Sequence, residues 1–339
     1  MNQKALYRQR RRYIIISAFL CCGLAVVLTF AFFIIQSLGD SGNAEYNQSA
    51  EQGGFIDWPV SESGEHYSSF SEKRTAYAAV REEDMHRGPL ILVNAETEYQ
   101  FPDNEEAILP VYEEKNEHYK VSSRSEALHR DALQALNLMT EAFFEETGLE
   151  DIMVNSSYRT LEEQKEVYQS TVQTRGEAYA ETYVSAPGYS EHHTGLAADL
   201  AIYTDEGAMY TFDGRAEYNW VYEHCAEYGF VMRYPENKTD VTGIGYESWH
   251  FRYVTVPHAL AMTAKGLCLE EYIEYIQLFT YDGERLTVAG PGGEGYEIYF
   301  VEATGEAEQQ IPVPEGSKYE ISGNNVNGYA VAVSVGVAA

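Results

Sequence analysis

Hydrophobic and polar positions divide the chain into four regions that follow a short basic tail. Residues 14–36 contain no charged residue, and residues 37–75 are rich in Ser, Gly, Glu and Asn with few apolar clusters. Between 76 and 279 short apolar runs alternate with amphipathic stretches, whereas 280–339 carries strand-like runs separated by Gly-rich and Asn-rich turns. We therefore predict a transmembrane helix, a flexible stalk, a main domain and a small all-β module, in that order.

The main domain, residues 76–279, mixes helical and strand periodicities. Apolar residues recur at helical spacing from Ser125 to Gly148, where the glycine is a helix stop. Further helices are predicted at 161–172, 220–228, 258–262 and 270–279, and strands at 88–94, 196–202 and 249–254. Because these elements do not form a long series of repeated strand–helix units, the pattern favours an α+β domain over a doubly wound sheet.

Strands in the C-terminal module, residues 280–339, are predicted at 284–288, 296–301 and 329–335. So short a module buries a limited core, and we expect it to depend partly on the main domain for stability. No motif within it indicates whether it binds wall material, a partner protein or only its neighbour.

The N-terminus predicts a membrane anchor. Residues 14–36 begin with a run of 22 uncharged residues, Ile14 to Ile35, and such a helix reaches about 33 Å, enough to cross a hydrocarbon core of about 30 Å. The basic residues in the tail 1–13 predict that the tail stays in the cytoplasm and the rest lies outside. A cleaved signal peptide is the alternative, but its apolar region is shorter and ends at small residues. We expect an uncleaved signal-anchor in the cell membrane and an extracytoplasmic domain.

Charge narrows the classes of partner. The chain has 53 acidic and 23 basic residues and a net charge of −30, although five of the basic residues lie in the first 13. Binding to nucleic acid depends on Lys and Arg that neutralise phosphates, so this class of partner is excluded. The acidic residues are scattered along the chain. This distribution predicts a solvated surface rather than a binding site for a specific acidic partner.

Only two of the four cysteines, Cys225 and Cys268, lie in the predicted exterior region. Two thiols are too few for a disulfide framework. They could pair outside the cell, but two buried free thiols are the favoured interpretation.

Two short stretches carry the candidate chemistry. The first runs from Ser190 to Asp199, and the second is Glu-Ser-Trp-His at 247–250. Catalytic zinc takes three protein ligands and leaves a fourth position for water, and His192, Asp199 and His250 would fill the three places. A carboxylate that does not bind the metal is then needed as general base, and Glu247 is the candidate. Residues three apart on a regular strand face opposite sides, so we place Glu247 in the loop before the strand.

Other polar residues are of a type that suits the same site. His193 is predicted to be a supporting or exposed residue, since neighbouring residues point apart, and His224 and His258 are predicted to pack or cap helices. Arg159 can hold an oxyanion or a substrate carboxylate through bidentate hydrogen bonds, its alternative being a surface ion pair. Gln164 and Ser190 are candidates for substrate binding, with a helix-face polar residue and a turn cap as the alternatives.

On these residues the chain resembles the zinc D-alanyl-D-alanine carboxypeptidases of the vancomycin-resistance type, a family that also includes D,D-dipeptidases and L,D-carboxypeptidases. The shared pattern is Ser-x-His-x-x-Gly-x-Ala-x-Asp followed by Glu-x-Trp-His. It is joined by Ser156–Thr160 with Gln164 and by Arg233–Pro235, and it extends from about Arg87 to Tyr275. The resemblance implies one Zn²⁺ on His192, Asp199 and His250, with Glu247 as general base.

The resemblance further implies that Arg159 contacts the substrate near the scissile carbonyl. It also implies a small antiparallel-rich sheet flanked by helices, with the zinc cleft upon it. We expect residues 76–279 to be a zinc peptidase domain that removes the C-terminal D-alanine from stem peptides of bacterial peptidoglycan, through attack by zinc-bound water. An L,D-carboxypeptidase acting on tetrapeptides is the alternative enzyme, and a catalytically silent, zinc-stabilised wall-binding module is the alternative from another class.

Overall fold

The computed structural model describes residues 69–103 and 107–336. The predicted basic tail (1–13), the predicted transmembrane helix (14–36) and residues 37–68 of the predicted stalk lie outside the described residues. Within the described part of the chain, no helix combines the length and the apolar character that a membrane span requires.

Strands and helices alternate through the first three quarters of the described chain, and strands follow them. The strands are β1 (Thr75–Arg81), β2 (Ile108–Pro110), β3 (Lys120–Val121), β4 (Ala127–His129), β5 (Ile152–Ser156), β6 (Ala197–Tyr203), β7 (Met209–Thr211), β8 (Phe230–Tyr234), β9 (Glu247–Tyr253), β10 (Leu286–Ala289), β11 (Gly295–Glu302), β12 (Glu308–Pro314), β13 (Tyr319–Gly323) and β14 (Gly328–Val335). The α-helices are α1 (Val111–Glu114), α2 (Arg130–Thr147), α3 (Leu161–Arg175), α4 (Glu177–Tyr183), α5 (Asn219–His224), α6 (Thr239–Thr242), α7 (Val256–Lys265) and α8 (Leu269–Ile276).

A six-stranded sheet carries the site. Its strand order is β3-β5-β6-β9-β8, and β7 pairs with β6. Only the β3–β5 pair is parallel among these described strands, and the other pairs are antiparallel. The predicted α+β class with an antiparallel-rich sheet flanked by helices is confirmed.

Helix α2 covers one face of this sheet. Its residues Leu133, Leu136, Met139 and Phe143 follow the helical spacing and are buried in one core with the apolar residues of β5 and β6. The helix ends at Gly148, whose φ of 72° places it in the left-handed conformation that a C-terminal glycine supplies. This packing holds β6 from behind and so fixes the strand on which Asp199 lies.

The C-terminal strands form a second, four-stranded antiparallel sheet in the order β10-β11-β14-β13. Helices α7 and α8 of the main domain share a core with β10, β11 and β14. Strand β1 pairs along its whole length with β12. The two regions distinguished by sequence composition are therefore joined both by a core and by strand pairing.

The segment 88–94, predicted as a strand, is not one. Leu90 and Val93 are fully buried, but Pro89 offers no backbone N–H to a strand ladder. The backbone groups are satisfied elsewhere: the amide of Leu90 donates to the Ser322 hydroxyl at 2.9 Å, and the carbonyl of Pro89 accepts from Arg252 at 2.9 Å. The sequence predicts a strand because an apolar run is bounded by turns, but Leu90 and Leu92 are buried in the core that α7 and α8 share with the second sheet.

The thiols of Cys225 and Cys268 are free and buried, as the sequence favoured. Cys225 opens a short 3-10 helix, Cys225–Tyr228, which follows α5 and ends at Gly229. The continuous helix predicted over 220–228 is thus divided into two, and burial raises the pKa of the Cys225 thiol to about 12. This thiol is therefore protonated near neutral pH.

His258 on α7 and Tyr272 on α8 form a buried link between the two helices. The His258 Nδ1 atom lies 2.7 Å from the Tyr272 hydroxyl, and both residues are almost fully buried. Burial lowers the pKa of His258 to about 3. The predicted packing role of His258 is confirmed, because the ring is neutral and hydrogen bonded inside the core.

We predict that His258 makes the protein less stable in mild acid. The folded state excludes a proton that the unfolded chain binds below about pH 6.5, so His258 alone should lower the free energy of unfolding by about 2 kcal/mol between pH 7.5 and 5. The variant His258→Gln keeps an acceptor for Tyr272 and does not titrate. Urea unfolding at pH 7.5 and pH 5 should show a smaller acid-induced loss in the variant, and equal losses would contradict the prediction.

Candidate active site

All the site residues predicted from sequence line one cleft beside β6 and β9. The cleft has a volume of about 300 Å³. The predicted residues found in its wall are Arg159, Gln164, Ser190, His192, Asp199, Glu247 and His250. The fold thus brings together residues that are up to 91 positions apart in the chain, and the stretches 190–199 and 247–250 meet at one site, as the sequence predicts.

Three of these side chains converge on one point. Asp199 on β6 pairs directly with His250 on β9 in the antiparallel register, so both side chains lie on the same face of the sheet. His192 comes from a short 3-10 helix, Glu191–Thr194, immediately before β6. The distances are 2.9 Å from Asp199 Oδ1 to His250 Nδ1 and 3.4 Å from Asp199 Oδ2 to His192 Nε2.

The backbone that presents His192 depends on Gly195. This residue ends the 3-10 helix with a φ of 67°, a left-handed conformation that favours glycine. A Cβ at this position would lie 2.5 Å from Ile108 Cδ1 and 2.9 Å from the backbone nitrogen of His129. The chain can therefore turn from His192 into β6 only because position 195 has no side chain.

His192 is held as a neutral imidazole. Its Nδ1 atom lies 2.6 Å from the Ser157 carbonyl oxygen. Because a carbonyl oxygen only accepts hydrogen bonds, Nδ1 must carry the hydrogen. Burial, followed by the positive charge of Arg159, lowers the pKa of His192 to about 4. The unprotonated Nε2 atom therefore points to the place where Asp199 and His250 meet.

The charges around His250 favour a cation. Burial alone would lower the pKa of His250, but its contacts with Asp199 and Glu191 raise it to about 9. Burial would raise the pKa of Asp199, yet the two imidazoles hold it well below its usual range. An ionised carboxylate thus lies between two ring nitrogens and attracts positive charge to this point.

The donor set fits zinc. His192, Asp199 and His250 each offer one ligand atom, and these atoms lie within 4.8 Å of one another. Two imidazole nitrogens and one carboxylate are ligands that catalytic zinc accepts, with a further position left for water or substrate. The carbonyl that fixes His192 is the kind of outer partner that metal-binding histidines require.

Glu247 is in the same cleft but not where the sequence placed it. It is the first residue of β9 rather than part of the preceding loop, which corrects the prediction. Tyr234 pairs with Glu247 and Met232 with Phe251, so β9 contains an irregularity opposite β8. Because the strand is not regular there, Glu247 and His250 can face the same side, and Glu247 Oε2 lies 3.8 Å from His250 Nδ1.

Burial changes the pKa of the Glu247 carboxyl more than any neighbouring charge does. It raises the pKa of this carboxyl to about 7, although the neighbouring His250 opposes the change. A carboxyl group with a pKa near neutrality can both accept and return a proton at physiological pH. Glu247 therefore has the acidity that a general base needs.

Arg159 lies two residues before α3 and lines the cleft. Its Nη1 atom donates to Gln164 Oε1 at 2.8 Å, and Gln164 Nε2 in turn donates to the Ser185 carbonyl at 2.7 Å. Arg159 Nε has no hydrogen-bond partner among the described residues. Both ends of the Gln164 amide are thus engaged with the protein, and Arg159 keeps one buried donor, Nε, that is not used by another described residue.

Ser190 has a local structural role as well as a place in the cleft wall. Its hydroxyl accepts a hydrogen bond of 3.4 Å from the backbone amide of His192 and caps the 3-10 helix. Ser190 therefore makes the turn-cap contact that is the alternative to substrate binding.

His193 points away from its neighbour. Its Nδ1 lies 2.7 Å from the Arg159 carbonyl, and its Nε2 accepts from the amide of Gly188. A larger cleft of about 610 Å³ lies on that side, but it contains none of the three candidate ligands. His193 is buried rather than exposed and supports the backbone of Arg159, while His224 bonds to Glu227 and stacks on Trp220.

Sequence reasoning missed Glu191. This side chain is completely buried and bonds to Arg233 and Arg252, which are also completely buried. Burial would raise the pKa of Glu191, but the two guanidinium groups hold it well below its usual range. The sequence does contain a signal for buried charge: Arg233 and Arg252 each lie among aromatic and aliphatic residues of a strand. A buried arginine needs an acidic partner, and Glu191 supplies it.

Comparisons with known proteins agree on one family. The VanY family, described as D-alanyl-D-alanine carboxypeptidase, matches residues 125–256. A D-alanyl-D-alanine carboxypeptidase of Enterococcus faecium is 34% identical over 281 residues, which is 79% of this chain and 82% of the relative. The bifunctional D-Ala-D-Ala dipeptidase and carboxypeptidase VanXYC of Enterococcus gallinarum is 41% identical over 134 residues, 38% of this chain and 70% of the relative.

One solved structure resembles most of the fold. The vancomycin resistance D,D-dipeptidase VanXYg, in complex with a D-Ala-D-Ala phosphinate analog, has a TM-score of 0.68 and 30% sequence identity. The match covers 77% of this chain and 99% of that one. The similarity therefore extends beyond the segment 87–275 on which the sequence motifs depend.

We predict that Gly195→Ala impairs both stability and metal binding. Gly148→Ala is a matched control, because Gly148 has a similar φ of 72° but nothing lies within 4 Å of its missing Cβ. The control should lose about 1–2 kcal/mol of unfolding free energy from the left-handed conformation alone. Gly195→Ala should lose more and should bind zinc more weakly, as measured by denaturant unfolding and zinc titration. Equal behaviour of the two variants would contradict the steric explanation.

Proposed function

This chain belongs to the VanY family of D-alanyl-D-alanine carboxypeptidases, and we propose that it removes the C-terminal D-alanine from peptidoglycan stem peptides with one zinc ion. The observation that carries the proposal is the convergence of His192, Asp199 and His250 within 4.8 Å, with Glu247 beside them. Three ligands and a separate carboxylate are the minimum that zinc-dependent peptide hydrolysis needs.

Zinc bound by the three ligands would polarise the scissile carbonyl and lower the pKa of a water molecule to about 7. Glu247 lies within reach of that position and is the proposed base. Its carboxylate takes a proton from the attacking water and later returns it to the nitrogen of the leaving D-alanine. A pKa of about 7 suits both halves of this transfer.

Arg159 is the proposed oxyanion and carboxylate contact. The Nε donor has no partner among the described residues, and Gln164 holds the guanidinium at Nη1. A positive group held in place before the reaction stabilises the charge that develops on the carbonyl oxygen. We assign Gln164 the role of orienting Arg159, since both ends of its amide are already hydrogen bonded to the protein.

The place of action follows from the proposed substrate. Stem peptides lie in the cell wall, and the long apolar run at 14–36 suits a membrane anchor that leaves the domain outside. The acidic residues scattered over the chain suit a soluble, extracytoplasmic enzyme surface. We therefore propose that the chain is a membrane-anchored wall peptidase.

We predict that Glu247→Gln abolishes hydrolysis but keeps zinc. The zinc-loaded protein should release D-alanine from a pentapeptide ending in D-alanyl-D-alanine, and a chelator should stop the release until zinc is restored. Loss of the base should slow the reaction by at least about 10²-fold. Zinc content measured on the same preparation distinguishes a base from a ligand, and Glu236→Gln, an exposed acid, is the control.

The same assay separates the alternatives. Release from the tetrapeptide would identify an L,D-carboxypeptidase, and cleavage of free D-alanyl-D-alanine would identify a dipeptidase. Folded, zinc-loaded protein that cuts none of the three would support the silent wall-binding module and overturn the proposed activity.

A second prediction concerns Arg159 and Gln164. Arg159→Ala should reduce kcat/KM by about 10²–10³-fold, the effect of losing one preorganised donor to the oxyanion. Gln164→Ala leaves the guanidinium in place but free to move, so its effect should be smaller and in the same direction. Gln169→Ala, an exposed glutamine on the same helix α3, is the matched control. A loss for Gln164→Ala larger than that for Arg159→Ala would contradict the assigned order.

A further inference from the structure

A buried group of four charged side chains adjoins the candidate active site, and one of them, Glu191, lines the cleft. Glu191 belongs to the 3-10 helix before β6, Arg233 to β8, Arg252 to β9 and Glu270 to α8. The side chains of Glu191, Arg233 and Arg252 are 0% exposed, and that of Glu270 is 13% exposed. We call these four residues the charged cluster.

The contacts of the charged cluster fix one oxygen of Glu191. Glu191 Oε1 accepts from Arg233 Nε and from Arg252 Nη1, each at 2.8 Å. Arg233 is held on its other side by Glu270 at 2.7–2.8 Å. Arg252 is held by the carbonyls of Pro89 and Ile91. The plane of the Glu191 carboxylate is thus determined by groups from four parts of the chain.

The other oxygen of Glu191 faces the site. Glu191 Oε2 lies 3.5 Å from His250 Nε2. Neither atom has a hydrogen-bond partner within ordinary geometry among the described residues. Two buried polar atoms that lack other partners and face one another form a contact that needs only a small shift to become a hydrogen bond.

The ligand atom of His250 determines where its proton lies. Nδ1 is the nitrogen that faces Asp199 at 2.9 Å, so Nδ1 is the atom available to a metal. A neutral imidazole that binds through Nδ1 carries its hydrogen on Nε2, and that hydrogen points at Glu191. His192 has the opposite arrangement, because its Nδ1 lies against the Ser157 carbonyl.

We propose that Glu191 is a positioning residue for zinc binding: its Oε2 accepts the Nε2 proton of His250 and holds the ring with Nδ1 directed at the metal. Arg233 and Arg252 keep the Glu191 carboxylate in the orientation that this contact requires. The proposal rests on the proposed zinc site. It adds a residue that acts on the metal site through His250.

The charge balance explains why a carboxylate can be used here. A single buried carboxylate would add a second negative charge beside Asp199, but two guanidinium groups and Glu270 make the charged cluster neutral overall. The site therefore gains a strong acceptor for His250 without an uncompensated charge. A carboxylate that holds the outer nitrogen of a metal-binding histidine also increases the basicity of the inner one.

The test uses Glu191→Asp in the full-length protein. Aspartate keeps the negative charge that pairs with the two arginines. Its side chain is shorter, however, so its second oxygen lies farther from His250. Zinc affinity, measured by competition with a chelating dye, should fall about 10–100-fold, as other outer-partner substitutions do. Co²⁺ bound in place of zinc should show an altered visible absorption spectrum, because the imidazole is less well oriented.

Glu297→Asp is the matched control. Glu297 is also buried and bonds to an arginine, Arg285, at 2.8 Å, but it lies on β11. It should lose unfolding free energy without a change in zinc affinity or in the Co²⁺ spectrum. If Glu191→Asp does not fold, Glu191→Gln is measured in the same way. It preserves side-chain length, and because its one amide oxygen accepts from the two arginines, an NH2 donor replaces the acceptor that faces His250.

The outcomes separate this inference from the proposed function. A wild-type protein that binds no zinc overturns the proposed metal site and the positioning role with it. A wild-type protein that binds zinc, together with a folded Glu191 variant of unchanged affinity and Co²⁺ spectrum, overturns the positioning role alone. A weaker zinc complex in the variant, with Glu297→Asp unchanged, supports it.

Discussion

The pairing of β6 with β9 sets Asp199 opposite His250, and the candidate site depends on that register. A shift of β9 by one residue would turn His250 to the other face of the sheet, where the core holds Leu200 and Phe251, and would leave Asp199 without its partner. The register is protected because α2 covers the apolar face from behind. Burial of hydrophobic side chains therefore determines the position of polar ones that bury little apolar area themselves.

The polar groups behind the site are held by a different kind of interaction. Two arginines from adjacent strands would be costly to bury without partners, and Glu191 and Glu270 supply them. The resulting contacts join the sheet, the 3-10 helix that carries His192 and helix α8. Hydrophobic packing sets where the strands lie, whereas these directional bonds set the angles at which side chains leave them.

The sequence was sufficient to identify the side chains that meet in the cleft. Residue type and spacing carry that information, because zinc ligands and a separate carboxylate are few in kind. Helices with strong periodicity, such as that ending at Gly148, were also predictable. The position of Glu247 was not, because an irregularity in β9 depends on how β8 packs against it. The prediction of a strand at 88–94 is wrong because an apolar run without periodicity does not distinguish a strand from a buried segment that pairs with no strand.

The pairing of strands that are distant in the chain could not be predicted from the sequence for a related reason. Strand β1 and strand β12 are separated by more than 200 residues, and no local pattern indicates which strands will meet. Their pairing has a practical meaning for anyone who wishes to divide the protein. Among the described strands β1 pairs only with β12, so a cut at residue 280 would leave β1 as an unpaired edge and would also uncover α7 and α8. The boundary in composition is therefore not a boundary at which the molecule can be separated into working halves.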